Sequence, residues 1–139
     1  GGLPSGALAK LCFSGKYTEA EVKKMISGNG GFNAYLGTND MRDVIKLAHE
    51  GNETAQLVKD AFHYQLCKEI GAMAVVLEGK VDQIILTGGI AYGQETVDAM
   101  TAKINWISGV TVYPGEDELL ALAQGALRVM TGEEKALEY

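Results

Sequence analysis

Apolar residues recur at three- and four-residue steps along most of this chain, and two short stretches break that period. The steps predict a short helix through residues 7–12, ended by Ser14-Gly15. A second helix starts at Thr18-Glu19-Ala20-Glu21, which has the spacing of a capping box, and it stops at the glycines after Ser27. Asn39 or Asp40 would cap a third over residues 41–48, with Val44, Leu47 and Ala48 turned inward. The longest pattern begins near Glu53: Ala55, Val58, Phe62, Leu66, Ile70, Met73 and Leu77 keep the helical period for about 25 residues, roughly 37 Å. Its apolar end, residues 72–77, is expected to be the most deeply buried. Further helices are predicted over 94–104 and from the acidic run Glu116-Asp117-Glu118 to Met130, closed by Gly132.

The two exceptions read as strands. Residues 81–86 are β-branched and apolar without alternation, as in a parallel strand covered on both faces, and residues 110–113 form a second candidate. Two strands are too few to bury five or six helices, so either residues 32–36 add an edge strand or chain preceding Gly1 supplies more. The remainder is polar turn and a tail over 133–139.

The first strand runs into Thr87-Gly88-Gly89, where the backbone can turn sharply and approach a ligand. The helix behind it would aim free N–H groups at that turn, which can hold a phosphate or nucleotide or be a plain connection. The spacing of Gly88, Gly89 and Gly93 is not that of a dinucleotide fingerprint, and no phosphate-loop lysine motif occurs. His49 and His63 read as surface or packed histidines, and Cys12 and Cys67 as buried, reduced thiols. Asp40 reads as a cap, Arg42 as a surface charge, and residues 116–118 as an acidic helix start or a set of carboxylates for Mg²⁺.

Composition narrows the partners. The 139 residues suit one domain, and 12 basic against 18 acidic side chains give a net charge of −6 with no Lys/Arg block, which argues against nucleic acid and anionic membranes. No apolar run reaches membrane-spanning length, and Gly1-Gly2-Leu3-Pro4 resembles neither a signal peptide nor an initiation site. A cytoplasmic piece whose natural start lies elsewhere is the expectation.

Three segments carry more specific information together. Ala34-Tyr35-Leu36-Gly37-Thr38-Asn39-Asp40-Met41-Arg42, the stretch from Val81 to Gly93 through Thr87-Gly88-Gly89-Ile90, and Val112-Tyr113-Pro114-Gly115-Glu116-Asp117-Glu118, in that order, closely resemble the C-terminal part of the butyrate kinases. These stand with acetate kinases in the acetokinase family, within the actin-like and sugar-kinase superfamily. The resemblance covers essentially the whole chain. It implies an α/β fold: the ribonuclease-H-like (actin-like ATPase) C-terminal lobe, with an incomplete small parallel sheet flanked by helices. Residues 1–139 would be one lobe of a two-lobed carboxylate kinase, without the first lobe and the start of the second.

The resemblance further implies ATP-dependent phosphorylation of butyrate to butyryl phosphate, and the reverse ATP-forming reaction, in the full-length protein. Acetate, propionate or a branched-chain acid is the alternative substrate, and a structural, oligomerising module the alternative role. By position, Gly88, Gly89 and Ile90 fall on the family's adenosine motif, Asp40, Met41 and Arg42 on a segment beside the nucleoside, and Asp117 near an acidic residue linked to Mg²⁺. Gly93 stands where acetate kinases carry an Asn that hydrogen-bonds the base. The implied partners are adenine nucleotide (ATP/ADP), Mg²⁺, a short-chain carboxylate and a second copy of the chain. The family's phosphate-binding segments and acyl pocket would precede Gly1, so no catalytic residue is assigned and the chain alone is expected to be inactive.

Overall fold

A computed structural model describes residues 3–137; the start at Gly1 and the end of the polar tail lie outside the described residues. Seven helices and two strands follow one another as α1 (Ser5–Cys12), α2 (Glu19–Ser27), α3 (Phe32–Leu36), α4 (Met41–His49), α5 (Glu53–Val76), β1 (Ile84–Gly88), a 3₁₀ turn (Gly89–Tyr92), α6 (Gln94–Ile104), β2 (Val110–Pro114) and α7 (Glu118–Thr131). The local chemistry of the helix starts explains most of these boundaries. The Thr18 hydroxyl accepts from the Glu21 N–H while the Glu21 carboxylate accepts from the Thr18 N–H at 2.7 Å, completing the capping box. Asp40 caps α4 by accepting from the Arg42 N–H at 2.8 Å, and Asn52 caps α5 through the Ala55 N–H at 3.0 Å.

Strands β1 and β2 pair in parallel, Ile84 opposite Val110 and Gly88 opposite Pro114, with α6 in the connection. Beyond the parallel register, Gly88 and Gly115 exchange both backbone hydrogen bonds, at 3.2 and 3.1 Å. Both glycines have positive φ, +83° and +101°. At Gly115 a Cβ would also lie 2.5 Å from the Tyr92 hydroxyl oxygen, so only glycine fits.

The core lies where α4, α5 and α6 meet beside β1. Met41 and Val44 from α4, Ala55 from α5, Ile84 from β1, and Val97, Met100 and Ile104 from α6 are buried. At its centre are polar side chains: Lys59, His63 and Thr96 are 5, 2 and 1% exposed. The positions of α5 that turn onto α6 are therefore Lys59 and His63, with half-buried Cys67 one further turn on. These step by four residues along one face, beside the apolar stripe that periodicity selects.

Four expectations are corrected. Residues 32–36 are a one-and-a-half-turn helix, with Phe32 stacked obliquely on Phe62 of α5 at 5.1 Å, so they add no strand. The apolar end of α5 is the reverse of buried: Met73, Val75, Val76 and Leu77 are all exposed. Strand β1 starts three residues later than its apolar run and is covered unevenly, Ile84 buried and Ile85 exposed. Cys12 is exposed, and only Cys67 is partly shielded, its thiol held above the ordinary value by burial. Both the α5 end and Ile85 present apolar surface that nothing among the described residues covers.

Candidate functional site

Two segments far apart in sequence converge on one cleft. The N-terminus of α4 supplies Asn39, Asp40, Met41, Arg42 and Ile45 to one wall. Gly89, Ile90, Tyr92 and Gly93, from the turn between β1 and α6, form the other, with Glu116 at the end. The space between them is about 770 Å³, enough for a nucleoside.

Each wall is shaped by its own local bonding. Thr38 prepares the start of α4: its hydroxyl accepts from the Asp40 N–H at 3.1 Å and donates to Asp43 at 2.8 Å. Asp40 then caps the helix and takes the Arg42 guanidinium onto the same carboxylate, Nε to Oδ1 at 3.0 Å. That side-chain hydrogen bond first, and the backbone bond after it, hold the Asp40 carboxyl down at about 2. Arg42 is otherwise exposed, so the cleft has a charged pair at its mouth whose members largely cancel.

On the opposite wall Gly88 ends β1 at φ +83° and ψ −179°, a backbone state reserved for glycine, and the chain folds at once into the 3₁₀ turn. Gly93 closes that turn. Its N–H donates to the Ile90 carbonyl at 3.0 Å, and its own carbonyl accepts from Thr96 at 3.0 Å and Val97 at 3.1 Å to start α6. No side chain caps α6, so its start presents bare backbone beside the cleft.

Six of the eight sequence-selected site residues, Asp40, Met41, Arg42, Gly89, Ile90 and Gly93, therefore line one cleft. The other two lie next door. Gly88 and Asp117 line an adjoining hollow of about 500 Å³ with Thr87, Tyr113 and Glu118, and Glu116 borders both spaces. Asp117 stands at the start of α7, yet its carboxylate makes no capping bond and is free for another partner. Among the described residues no three His, Cys, Asp or Glu side chains come together to hold a metal. One free carboxylate suits Mg²⁺ only where phosphate oxygens and water supply the remaining ligands.

Chemically the cleft is built to bind. Met41, Ile45, Ile90 and Tyr92 offer apolar and aromatic surface for a flat base, and Asp40, Arg42 and Glu116 offer hydrogen bonds for hydroxyls. Its lining includes no His, Cys, Ser or Lys that would serve as nucleophile or base. Sequence reasoning did not single out Tyr92 or Ile45 for the cleft, and it had Glu116 only as one of the acidic run 116–118. Tyr92 was signalled by its place between Ile90 and Gly93, whereas Ile45 follows from Met41 only by the four-residue step of a helix.

Another missed feature lies behind the cleft. Buried Lys59 of α5 meets Glu95 in the first turn of α6, and His49 at the end of α4 reaches the same carboxylate at 2.9 Å. The hydrogen bond from Lys59, more than any other influence, lowers the Glu95 pKa. One turn along α5, His63 Nε2 lies 3.2 Å from Thr96 Oγ1. Burial first, and the Lys59 charge second, push His63 below its ordinary value, so it stays neutral near pH 7. His49 is thus a surface histidine and His63 a packed one, as the sequence suggested.

Comparison with known proteins places the chain in a family. Over all 139 residues the chain is 55% identical to butyrate kinase 2 of Clostridium acetobutylicum and 56% identical to a probable butyrate kinase of Clostridium botulinum. It spans only 39% of the length of each of those relatives. The fold is that of solved acetate and propionate kinases. A Porphyromonas gingivalis acetate kinase structure superposes on 94% of this chain, using 39% of its own, with a TM-score of 0.80 at 22% identity. A Francisella tularensis propionate kinase superposes on 86% of the chain, using 36% of its own, with a TM-score of 0.71 at 21% identity. The sequence model of the acetokinase family matches residues 4–135, and the chain belongs to that family.

Proposed function

We propose that this chain is the adenosine-binding half-site of a carboxylate kinase that phosphorylates butyrate from ATP and runs in reverse to form ATP from butyryl phosphate. One observation carries the reading: Asp40, Met41 and Arg42 face Gly89, Ile90 and Gly93 across a nucleoside-sized cleft, in a chain more than half identical to named butyrate kinases along its whole length. The base lies between the Ile90 and Met41 walls, with the ribose toward Asp40 and Arg42. Gly93 offers the base only its backbone, so contacts here are fewer than an Asn would give. Gly88 and Asp117 mark the direction of the phosphates, where Asp117 would give Mg²⁺ one carboxylate; the bound ion neutralises phosphate charge.

Transfer itself needs positioned charge around the γ-phosphate. The lining of this cleft provides no positive charge beyond Arg42, which Asp40 already occupies. We therefore read residues 1–139 as one lobe that binds nucleotide and does not catalyse alone. The carboxylate substrate sits in the remainder of a longer protein, which draws on cytoplasmic ATP. Titration of the chain with ADP, followed by amide NMR, is expected to shift Gly88, Gly89, Ile90 and residues 40–42 together. Unmoved signals at millimolar ADP would sink the reading.

A second role has its own support. Leu119, Leu122 and Met130 of α7 and Val75 and Val76 of α5 are exposed apolar side chains, suited to a second copy of the chain or to the rest of a longer one. Light scattering that reports a concentration-independent monomer would remove self-association.

A further inference from the structure

Behind the cleft a continuous line of hydrogen bonds starts at a buried histidine and ends on the nucleoside wall. His63 Nε2 and Thr96 Oγ1 are 3.2 Å apart, the Thr96 N–H donates to the Gly93 carbonyl at 3.0 Å, and the Gly93 N–H donates to the Ile90 carbonyl at 3.0 Å. Gly93 and Ile90 line the cleft, whereas His63 and Thr96 are 2 and 1% exposed. A Cβ added at Gly93 would meet the Ile90 carbonyl at 3.3 Å and the Thr96 Oγ1 at 3.8 Å, so little space separates the turn from Thr96. A group so enclosed has no room to shift without moving the glycine above it.

We propose that His63 is a positioning residue for the candidate nucleoside cleft, acting through Thr96 to set the Ile90–Gly93 turn. The inference rests on the nucleotide reading of the cleft. Neutral His63 shares one hydrogen bond with the Thr96 hydroxyl. Protonated His63 places a second cation beside buried Lys59 and can only donate to that hydroxyl, so the seam must adjust, and the turn adjusts with it. The charged groups acting on His63 are Lys59 and Asp60 from α5 and Glu95 and Lys103 from α6. On the α4 side His49 acts only through Glu95.

Adenosine is the suitable probe, because unlike ADP it has no phosphate that titrates in the range of a histidine. With the whole chain, adenosine affinity is expected to weaken about fivefold as the pH is lowered through the titration of the His63 ring, which burial and the Lys59 charge place below the ordinary imidazole range, and the Gly93 and Thr96 amides should titrate with that ring. His49→Gln removes the other histidine and should leave that profile in place. Thr96→Val should weaken adenosine about fivefold at pH above that titration and flatten the profile, and Thr96→Ser should restore both. Affinity that stays constant while the His63 ring titrates, or an unaltered profile in Thr96→Val, would overturn the inference. The unmodified protein carries the test even where Thr96→Val does not fold. Absence of adenosine binding at every pH, with a Gly93 amide that still follows His63, would instead refute the nucleotide reading and leave the coupling standing; a Gly93 amide indifferent to His63 would refute the coupling.

Discussion

The junction of α4, α5 and α6 and the terminal helix α7 reverse the usual assignment of side chains to inside and outside. At the junction a lysine, a histidine and a threonine are buried among aliphatic neighbours. On α7, Leu119, Leu122 and Met130 are exposed, and none of its described side chains is buried. Burial at the junction is possible because each polar group meets a partner from another helix, Lys59 with Glu95 and His63 with Thr96. On α7 the apolar face is left uncovered by any of the described residues. The chain's own stability therefore rests on the junction, and α7 contributes mainly helix and little packing.

Truncating each region should separate them by the largest margin. Ile104, 1% exposed, loses packing on all sides in Ile104→Ala, and the cost is about 2–5 kcal/mol. Leu122→Ala should stay within about 0.5 kcal/mol, because its side chain already faces water. Denaturant midpoints of the two variants check this. Similar losses in both would mean that α7 is packed in solution and the contrast is wrong.

A smaller effect tests whether the buried charge depends on its partner. Glu95→Ala leaves Lys59 buried without a carboxylate and frees His49. Removing one member of a fully buried pair costs about 3–5 kcal/mol, but Glu95 is 38% exposed and water can replace part of it, so about 1–3 kcal/mol is expected. Lys59→Met, which removes the charge and keeps the volume, should be near neutral, and the double variant should recover most of the loss. Equal destabilisation by Lys59→Met and Glu95→Ala would show the seam to be held by packing alone.

The same seam shows where the sequence was readable and where it was not. The presence of strand β1, the glycine turn and the bounds of α6 followed from local chemistry: β-branched residues, a glycine pair whose first member, Gly88, takes a positive φ, and a helical period resuming at Gln94. The convergence of Asp40 to Arg42 with Gly89 to Gly93 came from resemblance to a family, since no periodicity relates segments so far apart. On α5, period counting selected Val58, Phe62 and Leu66, one step around the helix from the buried Lys59 and His63. Hydrophobicity could not identify that face, because what makes it burial-competent is Glu95 and Thr96, 36 and 33 residues away. Similarly, an apolar pattern cannot tell whether its face is covered, and the end of α5 is apolar yet exposed.

The smallest effect compares the buried ion pair with the one at the cleft mouth. Asp40 and Arg42 form the same kind of contact as Glu95 and Lys59, but in water: the Arg42 side chain is 90% exposed. Hydrogen bonds from Arg42 lower the Asp40 carboxyl from 3.8 to about 2. A depressed carboxylate stabilises the folded chain fully above 3.8, and that contribution fades as the pH falls through about 2. Exposed pairs contribute little, so no visible unfolding transition should follow from Asp40 alone. Its own titration is the sensitive measurement. Carboxyl-carbon NMR should place the Asp40 midpoint near 2 in the unmodified chain, and Arg42→Gln should move it toward 3.8, although the backbone N–H of residue 42 would keep it from returning fully. A midpoint already near 3.8 would mean that the guanidinium does not hold Asp40 in solution. Arg42 would then be free to meet a ligand, and the cleft would carry a cation that its resting geometry withholds.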